Sequence, residues 1–181
     1  MSTFIVIPEG AYPFLRLNDR QFLQQCRCDT YMASGHGGQK RNRTYSAVRL
    51  THLETGLSVI AEESRSQGEN RIKALKRLRM ALALYIRKAP SAESFTMPEE
   101  IRSFFREDCP LQINKKNSQY PLFCATVLDV VYMEGGRIGD ASRVLNTSTG
   151  RLNKFLSRDK DLFISVNELR AHFKLKPLHS V

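Results

Sequence analysis

Three glycines, Gly35, Gly37 and Gly38, fall within four residues of one another in the stretch Ser34-Gly35-His36-Gly37-Gly38-Gln39. Glycine lacks the side chain that restrains the backbone and loses the most conformational entropy on ordering, so this stretch reads as neither helix nor strand. It is a loop, and its flanks must provide the frame that carries it. Upstream, Arg27 to Met32 reads as extended, after a short helical turn over Gln21 to Gln25 capped by Asn18 or Asp19. Downstream, Val48, Leu50 and His52 alternate with Arg49 and Thr51, Thr55-Gly56 marks a turn, and Leu57, Val59 and Ala61 alternate again. Two antiparallel strands joined by a tight turn follow from that pattern.

Ser66 with Glu69 three residues later gives a capping-box signature, and Ile72, Leu75, Leu78, Leu82 and Ile86 recur at helical spacing behind it. A long amphipathic helix is expected. At about 100° per residue Lys73, Lys76, Arg77 and Arg87 fall close together as a basic stripe on its other side, while Arg71 and Arg79 fall nearer the apolar face. Such a stripe is by itself compatible with an ordinary solvated helix face.

Ala89-Pro90-Ser91-Ala92-Glu93-Ser94 reads as a linker, which divides the chain into residues 1–89 and 97–181. Before the first helical turn, the apolar run Phe4 to Ile7 is a candidate edge strand or docking tail. After the linker, Thr96-Met97-Pro98-Glu99 resembles a second capping box leading into a helix over Ile101 to Arg106. Pro121 to Met133 reads as a buried helix closed by Gly135-Gly136. Further helices are expected over Asp140 to Leu145 and Ser148 to Leu156, with a last one starting at Ser165-x-x-Glu168 and ending before Pro177. The fold class is therefore α+β: a small sheet backed by one long helix with a projecting Gly-Gly-Gln loop, then a mostly helical second domain. Within that domain Ser142, Asn146 and Leu152 occupy the small, turn and apolar positions of a helix-turn-helix, with a plain helical hairpin as the alternative.

Composition bears on partners. With 28 basic and 18 acidic residues the formal net charge is +10, and twelve Lys/Arg against four Glu lie between His36 and Lys88. A surplus of this size suits a polyanion, with nucleic acid ahead of an anionic membrane. No apolar run approaches the ~18 residues that span a bilayer, and the N-terminal stretch lacks the charged start and cleavage site of a secretory signal, so a cytoplasmic location and no membrane partner are expected. Four cysteines at 26, 28, 109 and 124 are too few and too irregular for a disulfide framework. Cys26-x-Cys28 with His36 lacks the second ligand pair of a zinc site, so neither metal nor cofactor is expected. Ser34 and His52 suggest no serine hydrolase, since His52 falls in a predicted strand and no G-x-S-x-G elbow is present.

The run from Ser34 through Gly37-Gly38-Gln39-Lys40-Arg41-Asn42-Arg43 to Ala47-Val48-Arg49-Leu50-Thr51-His52, continued by Thr55-Gly56 and Arg65-Ser66-Gln67-x-x-Asn70, resembles the peptidyl-tRNA hydrolysis domain of the class I peptide chain release factors. The likeness covers about residues 30 to 88, and a dozen ordered positions are far more specific than an isolated Gly-Gly-Gln. The resemblance implies an enzyme that hydrolyses the ester of peptidyl-tRNA at the peptidyl transferase centre of the ribosome, with Gly37, Gly38 and Gln39 as the catalytic tip. It further implies that the Gln39 N–H stabilises developing negative charge while the Gln39 side chain shapes a space for water, and that Gln39 is a substrate for an N-methyltransferase. Lys40, Arg41, Arg43, Lys73 and Arg77 are expected to contact ribosomal RNA or tRNA phosphates. Ser34, Gly35, Asn42, His52, Arg65, Gln67 and Asn70 are expected to support the loop.

Two positions depart from the family pattern: Met32 stands where arginine is usual, and Glu54 where proline is usual. About 30 residues precede the loop, too few for a stop-codon-reading domain, so the chain resembles in length the codon-independent ribosome-rescue hydrolases. Those carry a disordered basic tail, whereas this chain ends after predicted helices. Residues 100 to 181, with Lys115, Lys116, Arg143, Arg151, Lys154 and Arg158, are a candidate ribosome anchor. The alternatives are a ribosome- or RNA-binding factor without hydrolysis and a DNA-binding regulator.

Overall fold

A computed structural model describes residues 4–32, 45–89, 95–105 and 111–179. The glycine stretch and most of the linker lie outside those residues. The chain divides into two compact units, Arg16–Leu82 on one side and Met1–Leu15 with Ala83–Val181 on the other. These bounds differ from the linker-based expectation of 1–89 and 97–181: the first fifteen residues belong with the helical part, and the division falls inside the long helix.

In the unit Arg16–Leu82, α2 (Asp19–Gln24) leads into β2 (Cys26–Tyr31), β3 (Ala47–His52) and β4 (Ser58–Ala61). The three strands form one antiparallel sheet in the order β2-β3-β4. Asn18 caps α2 with a reciprocal box, its side chain accepting from Gln21 N at 2.9 Å while Gln21 Oε1 accepts from Asn18 N at 3.2 Å. Val48, Leu50 and His52 of β3 are buried and Arg49 is exposed, as the period-two pattern requires. Helix α3 (Gln67–Tyr85) supplies Ala74, Leu75, Leu78 and Leu82 to the core with Phe22 from α2. Ile72 is not among them. It is 56% exposed, because the inward face at that turn is set by Asn70 and Ala74. The cap of α3 is also only half of the expected box: Ser66 Oγ accepts from Glu69 N at 3.3 Å, but the Glu69 carboxylate accepts from Ser64 Oγ.

In the second unit β1 (Ile5–Ile7) pairs in parallel with β5 (Ile86–Lys88), Ile5 facing Ile86 and Ile7 facing Lys88. Helical spacing carried the expected helix through Ile86, yet α3 ends at Tyr85 and the chain turns extended to form this ladder. Between the two strands of the ladder, α1 (Tyr12–Leu15) follows β1. A 3-10 helix over Glu99–Phe105 replaces the α-helix expected at 101–106, of which Arg106 lies outside the described residues. Then come α4 (Tyr120–Met133), α5 (Ile138–Val144), α6 (Thr149–Ser157) and α7 (Lys160–His172). Helix α4 is buried from Leu122 to Val131 and ends on Gly135 and Gly136, both at positive φ, with Gly136 N donating to Val131 O at 2.8 Å. The last helix begins five residues before the expected Ser165. Asp159 caps it, accepting from Asp161 N and Leu162 N at 3.0 and 3.2 Å, whereas Ser165 is buried mid-helix and donates to Leu84 O at 2.9 Å.

Arg87 belongs to no basic stripe. As a residue of β5 it is 0% exposed, and its Nη1 donates to Asp129 Oδ1 of α4 at 3.0 Å and to Ala125 O at 3.3 Å. Asp129 Oδ1 also accepts from Lys88 N at 3.1 Å, so one carboxylate holds both the side chain and the backbone of β5. Burial pushes the Asp129 carboxyl up and the Arg87 guanidinium down from their ordinary values, each charge offsetting part of the other's desolvation. Tyr12 of α1 lies beside them, its phenol raised by burial and then by the Asp129 charge. Removing one member strands the other as an uncompensated buried charge. Asp129→Ala is expected to lower unfolding free energy by about 3–5 kcal/mol, and the paired apolar replacement Arg87→Met with Asp129→Leu to cost far less, as read by urea unfolding.

Candidate functional site

Strands β2 and β3 define where the glycine-bearing segment attaches. Tyr31 at the end of β2 and Ala47 at the start of β3 are register partners, so the chain leaves and re-enters the sheet side by side. Of the expected site residues, Ser34, Gly35, Gly37, Gly38, Gln39, Lys40, Arg41, Asn42 and Arg43 lie outside the described residues. Met32 and Tyr45, which flank them, are exposed.

The re-entry point is fastened by two residues of the first turns of α3. Gln67 Nε2 donates to Tyr45 O at 3.1 Å, and Asn70 Nδ2 donates to Ser46 O at 2.7 Å. Three residues apart, they share one face of the helix and reach consecutive carbonyls. Asn70 is fully buried and makes two more bonds, Nδ2 to Ser64 O at 2.8 Å and Oδ1 from Ser64 N at 2.9 Å. One amide thus joins the start of β3, the lead-in to α3 and the helix itself. Both carbonyls belong to residues just after the glycine-bearing segment in sequence, so helix and sheet jointly fix the point where the chain re-enters the sheet. Arg65, between Ser64 and the helix, is exposed.

His52 ends β3 and is fully buried. Its Nδ1 is 3.0 Å from Thr55 Oγ1, its Nε2 is 3.5 Å from Gln25 Oε1, and its ring stacks on Phe22 with centroids 5.9 Å apart. The turn it braces is closed by Gly56 N donating to His52 O at 2.8 Å, with Gly56 at φ +70. Burial lowers the imidazole pKa, against a smaller opposing pull from Glu54, the residue at the family's proline position. His52 therefore acts as a neutral packing and hydrogen-bonding group.

The two helix residues expected to contact RNA differ. Lys73 is exposed. Arg77 is tied down: its Nη1 donates to Ile60 O of β4 at 2.6 Å and its Nη2 pairs with Glu63, whose carboxyl is held below the usual range chiefly by that hydrogen bond. Arg77 thus pins α3 to the sheet edge with part of its charge already met. Arg79, near the apolar side, donates from Nη2 to Leu17 O at 2.7 Å and to Asp19 Oδ1 at 3.1 Å, and its guanidinium lies 4.4 Å from the Phe22 ring centroid. Sequence reasoning missed this role; the signal was an arginine on the wrong side of an amphipathic helix. Among the described residues no group of three or more His, Cys, Asp or Glu is placed to hold a metal, and no helix is long and apolar enough to cross a membrane.

A three-stranded antiparallel sheet and one helix pinned to it at both Ser46 and Ile60 define a small α+β unit. The RF-1 domain model matches residues 22–118, more than half of the chain, and the chain belongs to that family. Peptide chain release factor 1 of Rickettsia akari (strain Hartford) is 45% identical over 78 residues, 43% of this chain and 21% of the relative. Peptide chain release factor 1 of Enterococcus faecalis (strain ATCC 700802 / V583) is 44% identical over 92 residues, 51% of this chain and 25% of the relative. The matched stretch spans about a fifth to a quarter of those relatives' length.

Two measurements test the frame. Asn70→Ala leaves Ser46 O, Ser64 O and Ser64 N without their partner and is expected to cost at least about 2 kcal/mol of unfolding free energy; Gln67→Ala, at an exposed bond, is expected to cost under about 1 kcal/mol. For His52 the folded pKa lies below the unfolded value of about 6.5, so the unfolded chain binds the extra proton first on acidification. Its stability contribution is complete above pH ~6.5 and is lost as pH falls through that value towards the lowered folded pKa. The thermal midpoint is expected to drop between pH 7.5 and 5.5, and His52→Gln to flatten that slope.

Proposed function

We propose that this chain hydrolyses the ester linking a nascent peptide to tRNA on the ribosome, with Gly37-Gly38-Gln39 as its tip, and does so without reading a stop codon. The observation that carries the reading is the double anchor from Gln67 and Asn70 to the carbonyls of Tyr45 and Ser46, which fastens the foot of that segment in a chain of the RF-1 domain family.

In the proposed reaction, water attacks the acyl carbon, the bond to the tRNA 3′ oxygen breaks, and the products are the free peptide acid and tRNA. Glycines at 37 and 38 leave no side chain to collide with the tRNA end in a narrow RNA pocket, and their backbone freedom lets the Gln39 N–H turn towards the ester. That N–H donates to the oxygen on which charge develops, and the Gln39 side chain limits the nucleophile to water. Neither role needs a group that titrates near neutrality. Lys40, Arg41, Arg43 and Lys73 serve as phosphate contacts, while Arg77, already engaged with Glu63 and Ile60, contributes less charge than its position on the stripe suggests. The partners are the ribosomal RNA of the peptidyl transferase centre, peptidyl-tRNA and a methyltransferase acting on Gln39, and the setting is the cytoplasm.

Release of labelled peptide from ribosomes stalled with and without a stop codon tests both parts. Gly38→Ala is expected to slow release by on the order of 100-fold, Gln39→Ala to slow it measurably, and the wild-type rate to be indifferent to the codon. Ribosome binding with no release by the wild type would instead favour a non-catalytic RNA-binding factor.

A further inference from the structure

One arginine of the unit Arg16–Leu82 stands against the pattern of its helix. At 100° per residue Arg71 lies within about 40° of Leu75, Leu78 and Leu82 of α3, the three leucines that this helix buries. It is nevertheless exposed. Arg79, also near the apolar side, is accounted for by Leu17 O, Asp19 and the Phe22 ring. Arg71 has no such account: it pairs with no carboxylate among the described residues. Its neighbours one helical turn away, Gln67, Gly68, Ala74 and Leu75, include no acid that could take the charge.

Helix α2 supplies a second arginine to the same place. Arg20, Leu23 and Gln24 stand at i, i+3 and i+4 on one face of α2, and together with Arg71 they line a groove of about 590 Å³. Arg20 and Gln24 are exposed and Leu23 is half-buried. Arg20, too, pairs with no carboxylate among the described residues. The acids closest in sequence are committed elsewhere: Asp19 meets Arg79 at 3.1 Å, and the Glu69 carboxylate accepts from Ser64 Oγ. Two guanidinium groups and an amide thus line one groove, with no carboxylate among its lining residues. Arginine at both positions suits a phosphate, since each planar fork can donate to two oxygens at once.

We infer that Arg20 and Arg71 clamp one phosphodiester of an RNA backbone in the groove between α2 and α3, with the Gln24 amide donating beside them. The choice of RNA as the source of the phosphate rests on the release reading, which places the chain on a ribosome. This contact is separate from the basic stripe of α3, because Lys73 lies about 200° around the helix from Arg71. The exposure of the lining arginines favours a strand over a free anion: a lone phosphate stays largely hydrated there, whereas a strand that also meets other cations of the chain gains binding from outside the groove. A backbone contact of this kind is sequence-independent and dependent on salt.

The test uses the full chain with a labelled 20-base-pair RNA duplex, by fluorescence anisotropy across a KCl series. Arg20→Gln with Arg71→Gln is expected to weaken binding by about fivefold or more and to reduce the slope of log affinity against log salt by about one. Lys174→Gln with Lys176→Gln removes the same charge from exposed positions of the other unit and is expected to weaken binding by less than about twofold. Arg71→Gln alone, expected to weaken binding about threefold, decides the matter should the thermal midpoint show the double variant to be misfolded. Unchanged affinity in the arginine variants, or an equal loss in the lysine pair, overturns the inference. So does a wild-type thermal midpoint raised by inorganic phosphate, and not in the arginine pair, with RNA affinity unaltered, which would give the groove to a free anion. Peptide release measured alongside separates the two readings: absent release by the wild type with RNA binding weakened in the arginine pair sinks the catalytic proposal alone, and normal release with unaltered RNA affinity in that pair sinks this one alone.

Discussion

The side-chain amide of Asn70 is the tie on which the sheet unit depends. A buried asparagine has two donors and an acceptor to satisfy, and here they meet Ser46 O, Ser64 O and Ser64 N. Those partners lie on either side of the β3–β4 hairpin, so the amide closes a loop of chain that contains the entire hairpin. Burial makes the bonds matter, since any group left unmatched would bear its full desolvation cost. Because Ser46 follows the segment with the glycines in sequence, a residue devoted to packing also sets where the chain re-enters the sheet. Arg77, reaching Ile60 O about two turns along the same helix, fixes the other end of the contact.

Much of this unit was legible in the sequence because its determinants are local. Alternation at Val48, Leu50 and His52, the Thr55-Gly56 turn and the Asn18 cap each act within a few residues, and each appears where the pattern puts it. Errors arose where a distant partner overruled a local preference. Ile86 and Arg87 continue the helical spacing of α3, but pairing with β1, some 80 residues earlier, draws them into a strand and turns Arg87 inward onto Asp129. A parallel pairing leaves no mark in local periodicity. Ser165-x-x-Glu168 likewise fits a cap, yet Asp159 offers a stronger one upstream and leaves Ser165 to bond Leu84 O inside the core. Thr96 and Glu99 frame Pro98 well enough to start a turn, which continues as 3-10 rather than α-helix.

The site residues divide along the same line. Gln67, Asn70 and His52 were expected to support the loop from a resemblance alone, and the structure gives each a set of partners. The physical sign was a polar residue placed where a core position should be: an asparagine on the inward face of α3 and a histidine at an inward position of β3. Arg79 carried the same sign and was read only as an imperfection in the helix. It satisfies Leu17 O and Asp19 and packs on Phe22, holding the segment before α2 to α3. Tying up Arg77 and Arg79 in this way changes the meaning of the net charge, because basic residues that serve internal carbonyls and carboxylates no longer advertise a polyanion.

With those two and Arg87 discounted, the distribution of the remaining cations becomes informative. Lys73 and Lys76 stay exposed on α3, Lys40, Arg41 and Arg43 belong to the segment beside the glycines, and Arg151, Lys154 and Arg158 line α6. The last group belongs to the other compact unit. Random placement of 28 basic and 18 acidic residues would intersperse the signs, and interspersed charge is what a merely soluble surface needs. Segregation instead raises local potential at a cost in self-repulsion, a cost that Arg77 and Arg79 avoid by meeting Glu63 and Asp19.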